Sequence, residues 1–171
     1  MADFKVNIME EENTQKGRYL IFFIDNESYG IEIQYVTEII GIQNITKVPE
    51  FPEYLKGIIN LRGKIIPVMD VRLRFRKEAK EYSDRTCLIV VNIMDMSIAL
   101  IVDSVAEVVK IDDTEISELP QVNQLSHNRY VKRIGKLGNE VRLLLDCEKL
   151  LTDEEVTDLS ENITNYDMLH S

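Results

Sequence analysis

The amino-acid sequence predicts a mainly β protein: two small β lobes of similar construction, followed by a short C-terminal helix. Three observations predict it. Apolar runs broken by turn clusters give about nine or ten short strands and little helix, which suits small barrels or a sandwich rather than alternating βαβ units. One strand–turn–strand pattern ending in Val-x-Glu occurs twice. A helix-start signal, Thr152 with Glu155 three residues on, stands near the end of the chain.

Taken in order, residues 1–17 are polar, carry Glu10-Glu11-Glu12 and read as a loose lead-in. Order begins at Arg18. Tyr19 to Ile24 is almost wholly apolar, and Asp25-Asn26-Glu27-Ser28 is a turn cluster. From Tyr29 to Ile33 the chain alternates, with Tyr29, Ile31 and Ile33 on one face of a half-buried strand. It runs on into Val36-Thr37-Glu38-Ile39-Ile40. The same order returns in Leu88–Val91, a turn at Met94-Asp95-Met96, Ile98–Val102 and Val105-Ala106-Glu107-Val108-Val109. This is a weak internal repeat with one inserted residue.

Between the copies lies Val48-Pro49-Glu50-Phe51-Pro52-Glu53-Tyr54, whose two prolines reject a regular helix or a central strand. Gly57–Leu61 reads as a strand and Arg62-Gly63-Lys64 as its turn, with Gly63 free to take positive φ. The returning strand contains Pro67, which predicts an edge or a bulge. Arg72–Lys80 is basic and starts with a short helical turn, and 78–84 is a charged link to the second lobe. Asp112–Asn128 is turn-rich. A further hairpin is predicted at Tyr130–Ile134 and Val141–Leu145, turning at Gly138-Asn139. The capping pattern predicts a short helix from Asp153 to Leu159, followed by a fraying tail. The lobes are thus placed at about 18–80 and 85–145, with a closing segment at 146–151 and an acidic helix and tail at 152–171.

With 171 residues, 44% hydrophobic and 29% charged, the chain is globular in character. The net charge of -10 argues against a general nucleic-acid binder. No apolar run is long enough to span a bilayer and the first residues lack a secretory pattern, so the expected location is cytoplasmic, without membrane insertion. Cys87 and Cys147 form no CxxC motif and read as buried free thiols. Phosphate-loop, HExxH and GxSxG motifs are lacking. His127 and His170 lie in a loop and near the frayed end, poor places for a catalytic imidazole. Asp70 and Asp103 each follow an apolar strand, where a carboxyl caps a turn far more commonly than it catalyses. A non-enzyme without cofactor is therefore expected; a small acidic β-barrel enzyme or ligand-binding module is the alternative.

Two surface features remain. Arg62, at a hairpin tip, is either a solvated turn residue or a guanidinium that forks onto a partner's carboxylate or carbonyl. Val36, Ile39 and Ile40, around Glu38, are either plain core or an apolar groove with a charged rim, of the type that takes an amphipathic helix.

Tyr29-Gly30-Ile31-Glu32-Ile33, Val36-x-Glu38-Ile39, Gly57-Ile58-Ile59-Asn60-Leu61-Arg62-Gly63, Ile66-Pro67-Val68-x-Asp70 and Val102-Asp103-x-Val105, in that order, resemble the CheW chemotaxis coupling family. The likeness runs from about Tyr19 to Leu151, and its domain would cover 18–151. It implies two five-stranded SH3-like β-barrels and a non-catalytic adaptor. Such an adaptor ties the cytoplasmic tips of methyl-accepting chemoreceptors to the regulatory domain of the histidine kinase CheA, recruited to membrane receptor arrays. Carried over by position, Val36, Glu38, Ile39 and Arg62 match partner-contact motifs of the first lobe, and Val105 and Val108 are the second lobe's receptor-side candidates. Leu20, Ile33 and the segment around Val122 are the kinase-side candidates; Ser117 and Val122 depart from the larger or charged residues often found there. Val36 is not sorted between the two faces. The chain's end soon after the domain favours a stand-alone coupler over a fusion with a kinase or receiver.

Overall fold

The computed structural model describes residues 15–119 and 129–170, with the side chains of 166–170 left aside. Its strands are β1 (Arg18–Ile24), β2 (Glu27–Glu32), β3 (Val36–Gly41), β4 (Leu55–Leu61), β5 (Lys64–Asp70), β6 (Cys87–Ile93), β7 (Met96–Val102), β8 (Ser104–Lys110), β9 (Ile116–Glu118), β10 (Val131–Leu137) and β11 (Glu140–Leu145). Helix α1 spans Val71–Arg74 and α2 spans Asp153–His170.

Two sheets form, one of six strands in the order β8-β1-β2-β11-β10-β9 and one of five in the order β3-β6-β7-β5-β4. The internal repeat is visible in their topology. Matching β1 with β6, β2 with β7, β3 with β8, β4 with β10 and β5 with β11 converts one strand order into the other, leaving out β9. The third strand of each repeat leaves its own hairpin. β3 pairs with β6 of the second copy, and β8 pairs with β1 of the first. The sheets therefore do not follow the sequence halves 18–80 and 85–145. The five-stranded sheet uses strands from 36 to 102, whereas β1 and β2 join strands from beyond Val102.

The shared Val-x-Glu pattern has a structural meaning. In β3 the register against β6 runs from Val36 to Glu38 and skips Thr37; in β8 the register against β1 runs from Val105 to Glu107 and skips Ala106. The middle residue of each copy is a β-bulge.

Strands β1 and β6 read as continuous apolar runs because both of their faces are buried. Leu20, Phe22, Ile89 and Val91 face an interior shared by the two sheets. Tyr19 and Ile21 face a cluster with Ile111 and Leu144 that belongs to the six-stranded sheet. Leu88 and Val90 face a cluster with Ile59, Ile66, Val68, Ala99 and Ile101 that belongs to the other sheet. Stacked rings, Phe22–Tyr29 and Phe75–Tyr130, with Tyr29–Phe75 tilted between them, cross the shared interior at centroid separations of 5.3–5.6 Å.

Three local expectations need correction. Strand β5, which holds Pro67, lies inside its sheet between β7 and β4 rather than at an edge, while the β4–β5 register does carry a bulge beside it, between Leu55 and Gly57 opposite Met69 and Val68. The proline is tolerated because the β7 ladder begins at Val68, one residue later. The C-terminal helix is longer than Asp153–Leu159: Val156 and Leu159 pack on the core, and Ile163, at i+7 from Val156, continues their row half-buried beside Val48 and Phe51. Cys147 is buried, but Cys87 is only half-buried. Thr152 and Glu155 make the reciprocal capping box: the Glu155 amide donates to Thr152 Oγ1 at 3.1 Å, and the Thr152 amide donates to Glu155 Oε1 at 2.8 Å.

Candidate partner-docking site

Of the first copy's candidates, Val36, Glu38 and Ile39 lie on β3, and Arg62 lies at the tip of the β4–β5 hairpin. Among the described residues β3 pairs on one side only, with β6, so its outer backbone is an unpaired strand edge there. Val36, opposite Val91, and Glu38, opposite Val90, are half-buried on different faces of the strand, and Ile39, opposite Ile89, is 43% exposed on the face of Val36. The β4–β5 hairpin turns at Arg62 (φ 53°) and Gly63 (φ 84°), the positive-φ pair of a type I′ turn, and the Gly63 amide donates to Asn60 Oδ1 at 2.8 Å. Gly63 thus takes the conformation expected of it, and Arg62 takes it too. The exposed Arg62 guanidinium donates to Glu38 and forms an ion pair across the strands. Arg62 is thus exposed at the hairpin tip, with Glu38 as its neighbour.

The second copy presents the same construction without the ion pair. Val108 is 47% exposed on β8, the equivalent of Ile39, and Glu107 is exposed as the equivalent of Glu38. Val105 is half-buried and packs on the shared interior. Among the described residues β8 pairs only with β1 and is one edge of the six-stranded sheet. Apart from Arg62, the two groups of candidates therefore lie on edge strands of different sheets.

The kinase-side candidates divide. Ile33 sits in the 3-10 turn Ile33–Tyr35 that links β2 to β3 and is half-buried against the shared interior. Leu20 needs correction as a contact residue: it is 1% exposed, lies between Ile31 and Val108 in neighbouring strands, and cannot touch a partner while β1 holds its place. Its apolar character is the mark of a core strand, which sequence alone does not separate from a surface patch. Val122 lies outside the described residues, as does His127; Ser117 is exposed on β9.

Asp70 and Asp103 act as hydrogen-bond acceptors. Asp70 caps α1 through the Arg72 amide at 2.9 Å and accepts from Tyr82 Oη at 3.1 Å. Asp103 accepts from the Asp25 amide at 2.7 Å and from Arg72 Nη1 at 2.8 Å. Arg72, 8% exposed, also reaches Asp25 at 2.6 Å, tying the β1–β2 turn to α1 and to the β7–β8 junction. The hydrogen bond from Arg72 holds the Asp25 carboxyl below its ordinary value against the small opposing effect of burial.

Sequence reading missed both buried arginines of α1, Arg72 and Arg74. Arg74 donates from Nε to the Leu150 carbonyl at 2.8 Å and through both terminal nitrogens to Glu155, and it stacks 4.1 Å from the Tyr54 ring centroid. Tyr54 Oη donates to the same carboxylate. Burial alone would raise the Glu155 carboxyl; the Arg74, Thr152 and Tyr54 hydrogen bonds outweigh it and hold the group down at about 2. Burial pushes the Cys147 thiol up to about 12. Among the described residues no three His, Cys, Asp or Glu side chains come together as a metal cluster, and no helix is long and apolar enough to cross a membrane.

Against this geometry stand the comparisons with known proteins. Chemotaxis protein CheW of Klebsiella aerogenes is 35% identical over 145 residues, covering 85% of this chain and 87% of that protein. Chemotaxis protein CheW of Treponema pallidum is 29% identical over 152 residues, covering 86% and 89%. The crystal structure of the scaffolding protein TtCheW from Thermoanaerobacter tengcongensis superposes with a TM-score of 0.75 at 35% identity, covering 81% of this chain and 96% of that one. Residues 18–155 match the CheW-like domain, and by that match, which takes in both sheets and the first turn of α2, the chain belongs to the CheW-like domain family.

Proposed function

We propose that this protein is a non-catalytic chemotaxis adaptor, joining chemoreceptor cytoplasmic tips to the regulatory domain of the histidine kinase CheA in cytoplasmic arrays at the membrane. The observation that carries it, beside family membership, is the pair of equivalent sheet edges. Each exposes one large aliphatic residue, Ile39 or Val108, next to an acid, Glu38 or Glu107. An unpaired edge with an apolar residue and a polar rim is a place for a partner to cover. Arg62 holds a positive-φ conformation that costs an ordinary side chain free energy, which motivates a role for it at the tip. Val36, Glu38, Ile39, Arg62, Val105 and Val108 are assigned to the receptor side, and Ile33 with the segment around Val122 to the kinase side. Each sheet curls over its own small cluster, Tyr19–Ile21–Ile111–Leu144 or Leu88–Val90–Ile101 and neighbours. That favours reading the sheets as two SH3-like barrels, the lobes of a domain at 18–151. Weak contacts at two faces suit an array, where avidity supplies the holding strength.

The test is calorimetry with a purified CheA regulatory domain and a receptor-tip fragment. Val108→Asp and Arg62→Ala should weaken the receptor fragment by about tenfold or more and leave the kinase domain bound, whereas Ile33→Asp should do the reverse. Failure of the folded wild type to bind either partner would sink the adaptor role.

A further inference from the structure

Away from β3 and β8, helix α2 overhangs the loop that leads into the edge strand β4 and leaves two adjoining hollows. The first, about 270 Å³, is lined by Phe51, Pro52, Leu55 and Leu159 and rimmed by Glu50, Asp158 and Glu161. The second, about 300 Å³, is walled by Val48, Phe51, Ile58 and Ile163, with the amides of Asn162 and Asn165 at its mouth. Both share Glu50, Phe51 and Asn162, so they form one groove with an acid-rimmed end and an apolar end. Glu155 is already held by Arg74, Tyr54 and Thr152. Glu50, Asp158 and Glu161 are in no ion pair among the described residues. The groove thus carries Glu50 from the loop and Asp158 and Glu161 from the helix at its first hollow, and mainly aliphatic side chains with Glu50 and two asparagines at its second.

The geometry points to this groove as a docking surface for a short extended peptide segment of a partner protein, with a basic side chain in the acid-rimmed hollow and a large aliphatic one in the apolar hollow. Charge complementarity selects that occupant, because carboxylates on two facing walls attract a cation and repel an acidic chain. The chain's own undescribed segments have the wrong charge: 1–14 carries Asp3, Glu10, Glu11 and Glu12 against Lys5, and 120–128 carries no Lys or Arg. This surface is separate from Ile39, Arg62 and Val108, and it stands or falls apart from the adaptor reading.

The test is fluorescence anisotropy on the full chain with a labelled Gly-Ser-Arg-Ser-Leu-Ser-Gly peptide. Two control peptides carry glutamate in place of arginine or serine in place of leucine. The first peptide should bind saturably at about 100 µM or tighter, and both controls at least about tenfold more weakly. Asp158→Lys with Glu161→Lys should weaken binding by about tenfold or more. Glu78→Lys with Glu81→Lys, exposed acids on the link with the same change of net charge, should leave it within about twofold. Absence of binding, or equal weakening by both double variants, would overturn the proposal. So would self-association of the wild type that Asp158→Lys with Glu161→Lys abolishes, since it would put a second copy in the groove.

Discussion

The β5–α1 and β11–Cys147 junctions are equivalent by the internal repeat, yet they are fastened by different physics. In each, an aspartate ends the strand and caps the next turn: Asp70 through the Arg72 amide, Asp146 through the Glu148 amide. In each, its own amide donates to a tyrosine carbonyl, Tyr54 at 2.8 Å or Tyr130 at 2.9 Å. The next residue is buried in both, Val71 or Cys147. Four residues past the aspartate the copies part: Arg74 anchors Glu155 and the Leu150 carbonyl, whereas Leu150 is fully buried in the apolar core. The backbone frame therefore fixes where a side chain must be buried, and not whether an ion network or an alkyl group fills the space.

The sharpest break between the copies is at Gly57 and its equivalent Arg133, each facing β5 or β11 just past a bulge. Gly57 has φ +146°, and a Cβ there would stand 2.0 Å from the Thr46 carbonyl oxygen, which accepts from the Ile58 amide. Gly57→Ala should cost on the order of 4 kcal/mol or abolish folding, against less than about 1 kcal/mol for Arg133→Ala, both read by urea unfolding. Equal costs would mean that Thr46 moves aside freely.

Arg74→Met and Leu150→Ala should each cost about 3 kcal/mol, the first by stranding a carboxylate and a carbonyl, the second by opening a cavity. Unfolding in low and high salt separates them, since only the cost at Arg74 should shrink with added salt.

Glu155→Gln should cost about 2 kcal/mol at neutral pH. Because the folded-state value of Glu155 lies below its ordinary 4.5, its contribution is complete above that value and is lost as pH falls toward about 2. The variant should therefore lose less stability than wild type across that window. Parallel acid-unfolding curves would remove Glu155 from the account.

The smallest effect belongs to Arg62→Ala. Its ion pair with Glu38 is exposed and should carry at most about 1 kcal/mol of stability, so a thermal melt should barely move while partner binding responds. A large drop in melting temperature would make Arg62 structural.

Much of this was legible in the sequence for a local reason. Strand periodicity, the Asn60–Lys64 turn, the capping box at Thr152 and Glu155, and the twofold Val-x-Glu pattern are all written within a few residues of one another. What escaped is non-local. Nothing near Val36 says that its strand pairs with β6 rather than β2. Leu20 reads like an exposed aliphatic until β8 and β2 close on both its sides. Arg72 and Arg74 look like a solvated basic run because their partners lie 31 to 81 residues away. Of the candidate site, the Ile39–Arg62 edge and its twin at Val108 were readable as residue types, whereas the groove under α2 needs the full length of that helix.

The exchange of third strands also bears on how the chain is made. The five-stranded sheet is complete in sequence once Val102 has left the ribosome, whereas β1 and β2 wait for β8 and β11. A cut at the link around residue 80 would divide both sheets, so neither fragment should fold alone, yet the pair should complement on mixing. The twofold pattern in the sequence thus belongs to two copies that the exchanged third strands bind into one folding unit.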